Sequence, residues 1–262
     1  MRLLLAFTLL ITSVLSPAIA APKADLWPFW QQSNETNPTT IDHSRWQQTL
    51  DTYLVELPQQ TLFRYNAISE NDKWELNRYI RDLAAIDPRQ YAKPEQFAYW
   101  VNLYNALTVQ LILNNYPVKS ITKLGGFFSF GPWDEELITI AGKTLSLNDI
   151  EHRILRPIWQ DARIHYAVNC ASLGCPDLQP TAFTAKNNEA LLEQAASRFI
   201  NSPKGVELYG NNVRLSSIYD WYGSDFGTQS ELQQHLNQYR KEQPVQLSSV
   251  SYDYNWSLNE AK

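Results

Sequence analysis

Hydrophobic positions recur along this chain first at helical spacing and then at strand spacing. Trp46, Leu50, Tyr53 and Leu54 form an apolar stripe three and four residues apart, which predicts a helix. A second helix opens where Ser69 and Asp72 make a capping pattern, and it puts Leu76, Ile80 and Leu83 on one face. The third begins at Pro94, a residue suited to a first helical turn, and runs through Phe97, Trp100, Val101, Tyr104, Leu107, Leu111 and Ile112. It is apolar nearly all round, which predicts burial. Asn102 and Asn105 share a face of it, and buried amides must find partners, either neighbouring loops or a ligand.

The pattern then changes period. Leu137–Ile140 and Thr144–Leu147 flank Ala141-Gly142-Lys143 and predict a hairpin. Ser146 with Asp149 predicts the cap of a short helix, 147–155, stopped by Pro157. Ile164, Tyr166, Val168 and Cys170 alternate with Arg163, His165, Ala167 and Asn169, a strand pattern. A helix near Asn188–Phe199, a hairpin around Gly210-Asn211-Asn212, a helix near Ser230–Tyr239 and a last strand through Tyr252, Tyr254 and Trp256 complete the series. Helices that precede and surround a few short strands predict an α+β fold: a helical N-terminal part packed on a small, mainly antiparallel sheet with further helices.

The N-terminus adds a targeting signal. Arg2, an apolar run from Leu3 to Leu15, and Ala18-Ile19-Ala20 read as a signal peptide over 1–20, with cleavage before Ala21. The apolar run is shorter than a bilayer-spanning helix requires, and no second one follows, so no integral membrane segment is expected after cleavage. The predicted organisation is a signal peptide (1–20), an extended lead-in (21–40) and a single α+β domain (41–262), exported to the periplasm or secreted. A net charge of −5 with no basic block argues against nucleic acid as a partner. Nine Trp and 14 Tyr point to an aromatic interior and an aromatic-lined groove. Gly125–Trp133, rich in glycine and aromatics, is either a lid or a buried turn.

Reactive residue types concentrate between Glu151 and Pro176: Glu151, His152, Arg156, Arg163, His165, Cys170 and Cys175. The stretches Tyr99-Trp100-Val101-Asn102-Leu103-Tyr104-Asn105-Ala106-Leu107, Arg163-Ile164-His165-Tyr166-Ala167-Val168-Asn169-Cys170-Ala171-Ser172 and Cys175-Pro176 resemble the family catalogued as domain of unknown function 547. The family-like core covers about residues 90–226, and the ending Tyr252–Asn259 resembles the tail of its bacterial members. The resemblance implies no activity. Plant members carry serine where Cys175 stands, which favours Cys170 over Cys175 as a nucleophile.

Three chemistries fit these cysteines. In an oxidising compartment, thiols five positions apart favour a disulfide, whose short loop is worth about 2 kcal/mol. A nucleophilic thiolate needs an imidazole base and an orienting group, for which His165 or His152 and Glu151 or Asn169 are candidates. In a regular strand, though, His165 and Cys170 would face opposite ways. Zinc matches no familiar ligand spacing here, so no metal and no cofactor are expected. Arg156 and Arg163 either clamp a carboxylate ligand or pair with local acids such as Glu151 and Asp161. Asp220 and Asp225 stand in an aromatic segment, and paired-carboxylate glycosidase chemistry would depend on their separation.

Two functions follow. One is a periplasmic peptide- or envelope-protein-binding domain with Cys170 and Cys175 joined as a disulfide that shapes the site loop, where Asn102, Asn105, Arg156, Arg163 and Asn169 contact the ligand. The alternative is a thiol-dependent hydrolase or acyltransferase using Cys170 or Cys175 with His165, assisted by Glu151 and His152.

Overall fold

Ser69 starts its helix as the sequence predicts: its hydroxyl accepts the Asp72 N–H at 3.1 Å, and helix α2 runs Glu70–Ala84. The computed structural model describes residues 22–126, 131–210 and 212–262. The expected signal peptide, the centre of the Gly125–Trp133 loop and Asn211 therefore lie outside the described residues. Before α2 come α1 (Ser44–Tyr53) and a hairpin of β1 (Leu54–Leu57) and β2 (Gln60–Phe63). Leu54 extends the apolar stripe of α1 in sequence, but it pairs with Phe63 as the first residue of a strand.

Helix α3 (Lys93–Asn114) is the centre of the molecule, with Tyr99, Trp100 and Leu103 fully buried. α2 packs along it, and the lead-in reaches it through Trp30, whose ring meets Trp100 edge-on at 5.1 Å. The hairpin of β3 (Ile138–Ile140) and β4 (Lys143–Leu145) turns through Ala141 and Gly142, both at positive φ. That is the backbone a two-residue hairpin loop demands.

The next segment departs from expectation. Residues Asp149–Leu155 form a π-helix, and α4 (Arg156–Trp159) continues from it straight through Pro157. Proline cannot donate a main-chain hydrogen bond, so it leaves a carbonyl of the preceding turn without an intrahelical partner. Here the lead-in supplies donors: Asp25 N–H reaches the His152 carbonyl at 3.0 Å and Trp27 N–H the Arg153 carbonyl at 2.9 Å. The helix stops only at Gln160, which adopts the left-handed conformation at φ 51°.

The strand expected over 163–170 is instead a single helical turn, α5 (Ile164–Ala167), followed by extended backbone. Asp161 nucleates it, its side chain accepting the Arg163 N–H at 2.8 Å and its carbonyl the Ile164 N–H at 3.1 Å. The alternation misled because Ile164, His165, Tyr166 and Ala167 are all buried, between two cores. One core surrounds α3. The other gathers Tyr166, Phe199, Leu215, Tyr219, Phe226 and Leu236.

Helix α6 (Asn188–Ile200) leads to a sheet of β5 (Val206–Tyr209), β6 (Asn212–Ser216) and β7 (Val250–Asp253). β5 and β6 are antiparallel, whereas β7 joins β6 in parallel. Between β6 and β7 lie the short turns α7 (Ile218–Trp221) and α8 (Gly223–Phe226), then α9 (Gln229–Tyr239), which Thr228 and Glu231 open with a reciprocal capping box. The fold is α+β, with small antiparallel and mixed sheets. Among the described residues no helix is long and apolar enough to cross a membrane.

Candidate functional site

The π-helix turns Glu151 and His152 inward, α4 adds Arg156, α5 adds His165 and α8 adds Asp225; all but Asp225 are fully buried. Arg156 grips Asp225 with two parallel hydrogen bonds, Nε to Oδ2 at 2.6 Å and Nη2 to Oδ1 at 2.9 Å. His165 Nε2 lies 2.8 Å from the same Oδ2, and its Nδ1 is 3.6 Å from Glu151 Oε1. Its ring stacks on Tyr222 at 4.2 Å, and the Arg156 guanidinium sits over that tyrosine at 4.9 Å.

Arg156 also donates to His152 Nδ1 at 3.0 Å and to the Pro22 carbonyl at 2.7 Å. Because arginine has no acceptor, His152 Nδ1 must carry no proton. Burial agrees, holding the His152 pKa down to about 4 against the pull of Glu151. Burial alone would raise Glu151, yet His152, His165 and Arg156 outweigh it and leave that carboxylate at about 2. Asp225 is likewise kept ionised, since His165 and Arg156 overcome its own burial.

Beside this network the chain makes a tight loop. Asn105 accepts the Asn169 N–H at 2.8 Å and donates to the Ala167 carbonyl at 3.0 Å. Asn169 in turn accepts the Ala171 N–H at 2.9 Å and donates to the Pro176 carbonyl at 2.7 Å. The amide of Asn102 is wholly engaged with the backbone of Phe183. Ala171 is held at φ 56°, a conformation that costs a residue with a Cβ about 1 kcal/mol or more. Gly174 lies so close to the C-terminal segment that a Cβ there would stand 2.7 Å from the Asn255 nitrogen.

Both cysteines are free thiols, so the disulfide expected between Cys170 and Cys175 is not formed. The loop instead points Cys175 Sγ at the Cys170 N–H, 2.8 Å away. Cys170 is partly exposed as a residue, although its sulfur is crowded; Cys175 is buried. The Cys170 sulfur meets the Tyr254 hydroxyl at 3.0 Å and the Ser172 hydroxyl at 3.2 Å, and those two hydroxyls are 3.1 Å apart. Burial and the Glu151 charge oppose ionisation of Cys170, but hydrogen bonds from Cys175, Ser172 and Tyr254 prevail and hold its thiol below the ordinary value. Burial, reinforced by the neighbouring Cys170 sulfur, pushes Cys175 far above it. Burial also keeps Tyr254 protonated well past its usual range, so its hydroxyl has a proton to offer a Cys170 thiolate.

Glu151, His152, Arg156 and His165 are thus in one network, with Cys170, Cys175, Asn105 and Asn169 in the adjoining loop. His165 makes no hydrogen bond to either sulfur. Asn102 faces Phe183, and Arg163 faces away, bound to Asp161 at 2.7 Å and to Glu189 and Glu193 at 2.6 Å each. Three contributors were absent from the sequence-based site: Asp225, Ser172 and Tyr254. Asp225 did stand out as an acid in an aromatic segment, whereas Tyr254 was visible only as a strand residue.

A depression of about 1000 Å³ between α6, β5 and α9 is lined by neither the cysteines nor the residues of the buried network. Two smaller ones, about 540 and 420 Å³, share Tyr254 as a wall. Among the described residues no three His, Cys, Asp or Glu side chains form a group that could hold a metal ion. The model of a family described as "Protein of unknown function, DUF547" matches residues 88–200. No curated protein matches the chain, and no solved structure does.

Proposed function

Taking as premise that residues 88–200 belong to the DUF547 family, whose description names no activity, we propose that this chain is a thiol-dependent hydrolase or acyltransferase with Cys170 as its nucleophile. The observation that carries this reading is the contrast between the two thiols: Cys170 is partly exposed and its sulfur is met by two hydroxyl groups, while Cys175 is buried and held protonated. A thiolate stabilised in this way can attack a carbonyl without a base touching the sulfur. The new S–C bond gives a tetrahedral oxyanion, whose collapse expels an amine or alcohol and leaves an acyl-Cys170. Water or a second nucleophile then takes the acyl group and regenerates the thiolate.

The proton for the leaving group is assigned to Nδ1 of His165, whose Nε2 Asp225 holds and whose ring Tyr222 holds by stacking; that Nδ1 has no hydrogen bond among the described residues, and the water or second nucleophile that takes the acyl group returns its own proton there. Cys175 is a positioning residue, since its sulfur fixes the Cys170 main chain. Export to the periplasm belongs to the same proposal and is supported by the signal-like residues 1–20.

The competing reading is a non-catalytic peptide- or protein-binding domain. One observation favours it, the ring cluster of Trp221, Tyr254 and Trp256 at the partly exposed edge of the site. Reaction with p-nitrophenyl acetate separates the two. The catalytic reading expects a burst of p-nitrophenol and an acyl group on the Cys170 peptide, both lost in Cys170→Ala. It fails if Cys170 is neither acylated nor alkylated faster than free cysteine.

A further inference from the structure

Most cations near Tyr254 are already consumed. In the 420 Å³ depression that Tyr254 helps to line, Lys204 is bound to Asp177 at 2.5 Å and Arg214 is bound to Glu207. The 540 Å³ depression, which Tyr254 also lines, differs. It is lined by Lys119 and Lys123, with Tyr254 and Trp256 forming its aromatic part. Among the described residues neither of these ammonium groups has an ion pair or a hydrogen bond. Both lysines are exposed, and they flank Ser120 and Thr122, whose hydroxyls bond each other at 2.9 Å. The one acid of the lining, Asp253, is turned to its own main chain, where it accepts the Tyr254 N–H at 2.9 Å. In a chain of net charge −5, two unpaired cations beside an aromatic floor form a local positive field.

We infer that this depression is the substrate-side subsite of the Cys170 centre and that it takes an acyl compound bearing a carboxylate or another oxyanion, held by Lys119 and Lys123 while its apolar part lies on Tyr254 and Trp256. The inference rests on Cys170 being the nucleophile. Tyr254 is the physical link: it lines the depression, and its hydroxyl touches the Cys170 sulfur. A depression of this volume matches the size of small-molecule sites. Charge here acts on the thiolate as well as on the substrate, whereas a ratio of rates for an anionic and a neutral reagent reads selection of the substrate alone.

The test compares an anionic and a neutral alkylating agent of nearly the same size, iodoacetate and iodoacetamide, with Cys170 modification read by peptide mass spectrometry. The iodoacetate-to-iodoacetamide rate ratio, divided by that of free cysteine, is expected to be raised at least about twofold, because each unit charge in water attracts an anion by an amount comparable to thermal energy. Lys119→Gln with Lys123→Gln should return the ratio to that of free cysteine, a readout from which any change in the thiolate fraction cancels because both reagents meet the same thiolate. About 0.5 M salt should do the same to the wild-type protein, because screening shortens the reach of a charge to a few ångströms. A wild-type ratio equal to that of free cysteine, or one insensitive to the double substitution, overturns the subsite. The iodoacetamide rate reports separately on the thiol: if it is no faster than free cysteine, the nucleophile reading falls, whatever the ratio does.

Discussion

Replacing Tyr254 by phenylalanine removes a single hydroxyl from the Cys170 sulfur and keeps the ring that packs on Trp221 at 4.8 Å and Trp256 at 4.5 Å. The lost contacts are the 3.0 Å hydrogen bond to the sulfur and the 3.1 Å one that the hydroxyl accepts from Ser172. A hydrogen bond to a charged group is worth about 1.5–3 kcal/mol, which corresponds to a rise of about 1–2 units in the thiol pKa. Near neutral pH the thiolate fraction should therefore fall about 10- to 100-fold. A more basic thiolate is intrinsically more nucleophilic, with a Brønsted slope of about 0.4–0.5, so the alkylation rate should drop only about 3- to 10-fold. The assay is the iodoacetamide rate at Cys170 against pH, fitted for its midpoint. Cys175, buried and held protonated, supplies the internal control. A midpoint that does not move in Tyr254→Phe would refute the claim that the hydroxyl stabilises the thiolate. A rise in rate would refute it more strongly, since it would show that Tyr254 merely shields the sulfur.

Asp225→Asn should leave the Arg156 guanidinium, itself only 2% exposed at its side chain, without its bidentate partner. The expected loss is about 3 kcal/mol of stability, read as a lower urea midpoint with an unchanged slope. His152, lowered in the folded state from 6.5 to about 4, binds a proton more readily when unfolded; its contribution to stability is complete above about pH 6.5 and disappears as pH falls through about 4. His152→Gln should therefore flatten the loss of stability across that window, followed by urea midpoints from neutral pH down to about pH 4. Glu151, lowered from 4.5 to about 2, adds its own acid loss only below about pH 4.5. Gly174→Ala should push a methyl group into the Asn255 main chain, costing about 1–3 kcal/mol in thermal melts.

What could be read from the residues was whatever local chemistry decides. The Ser69 cap, the burial of α3 and the β3–β4 hairpin depend on neighbours within a few positions, and each was legible. The stretch 163–170 was not, because alternation signals a strand only when one side is wet, and both sides of this segment are dry. Likewise the π-helix and its continuation through Pro157 in α4 receive donors from Asp25 and Trp27 that no local pattern announces. Of the reactive types crowded between Glu151 and Pro176, the fold does bring Glu151, His152, Arg156 and His165 into one network. The partners that give those residues their character, Asp225 for His165 and Tyr254 for Cys170, lie 60 and 84 positions away in the chain.

The proline in α4 ties two distant parts of the molecule into one cooperative unit. Since the carbonyls of His152 and Arg153 depend on donors from the lead-in, peeling that strand away would leave two polar atoms dangling just where Arg156 is held, and the guanidinium would lose its Pro22 anchor as well. Slow hydrogen exchange at the Asp25 and Trp27 amides is thus a remote gauge of order around His152, and whatever frays the beginning of the folded chain slackens the charged network within.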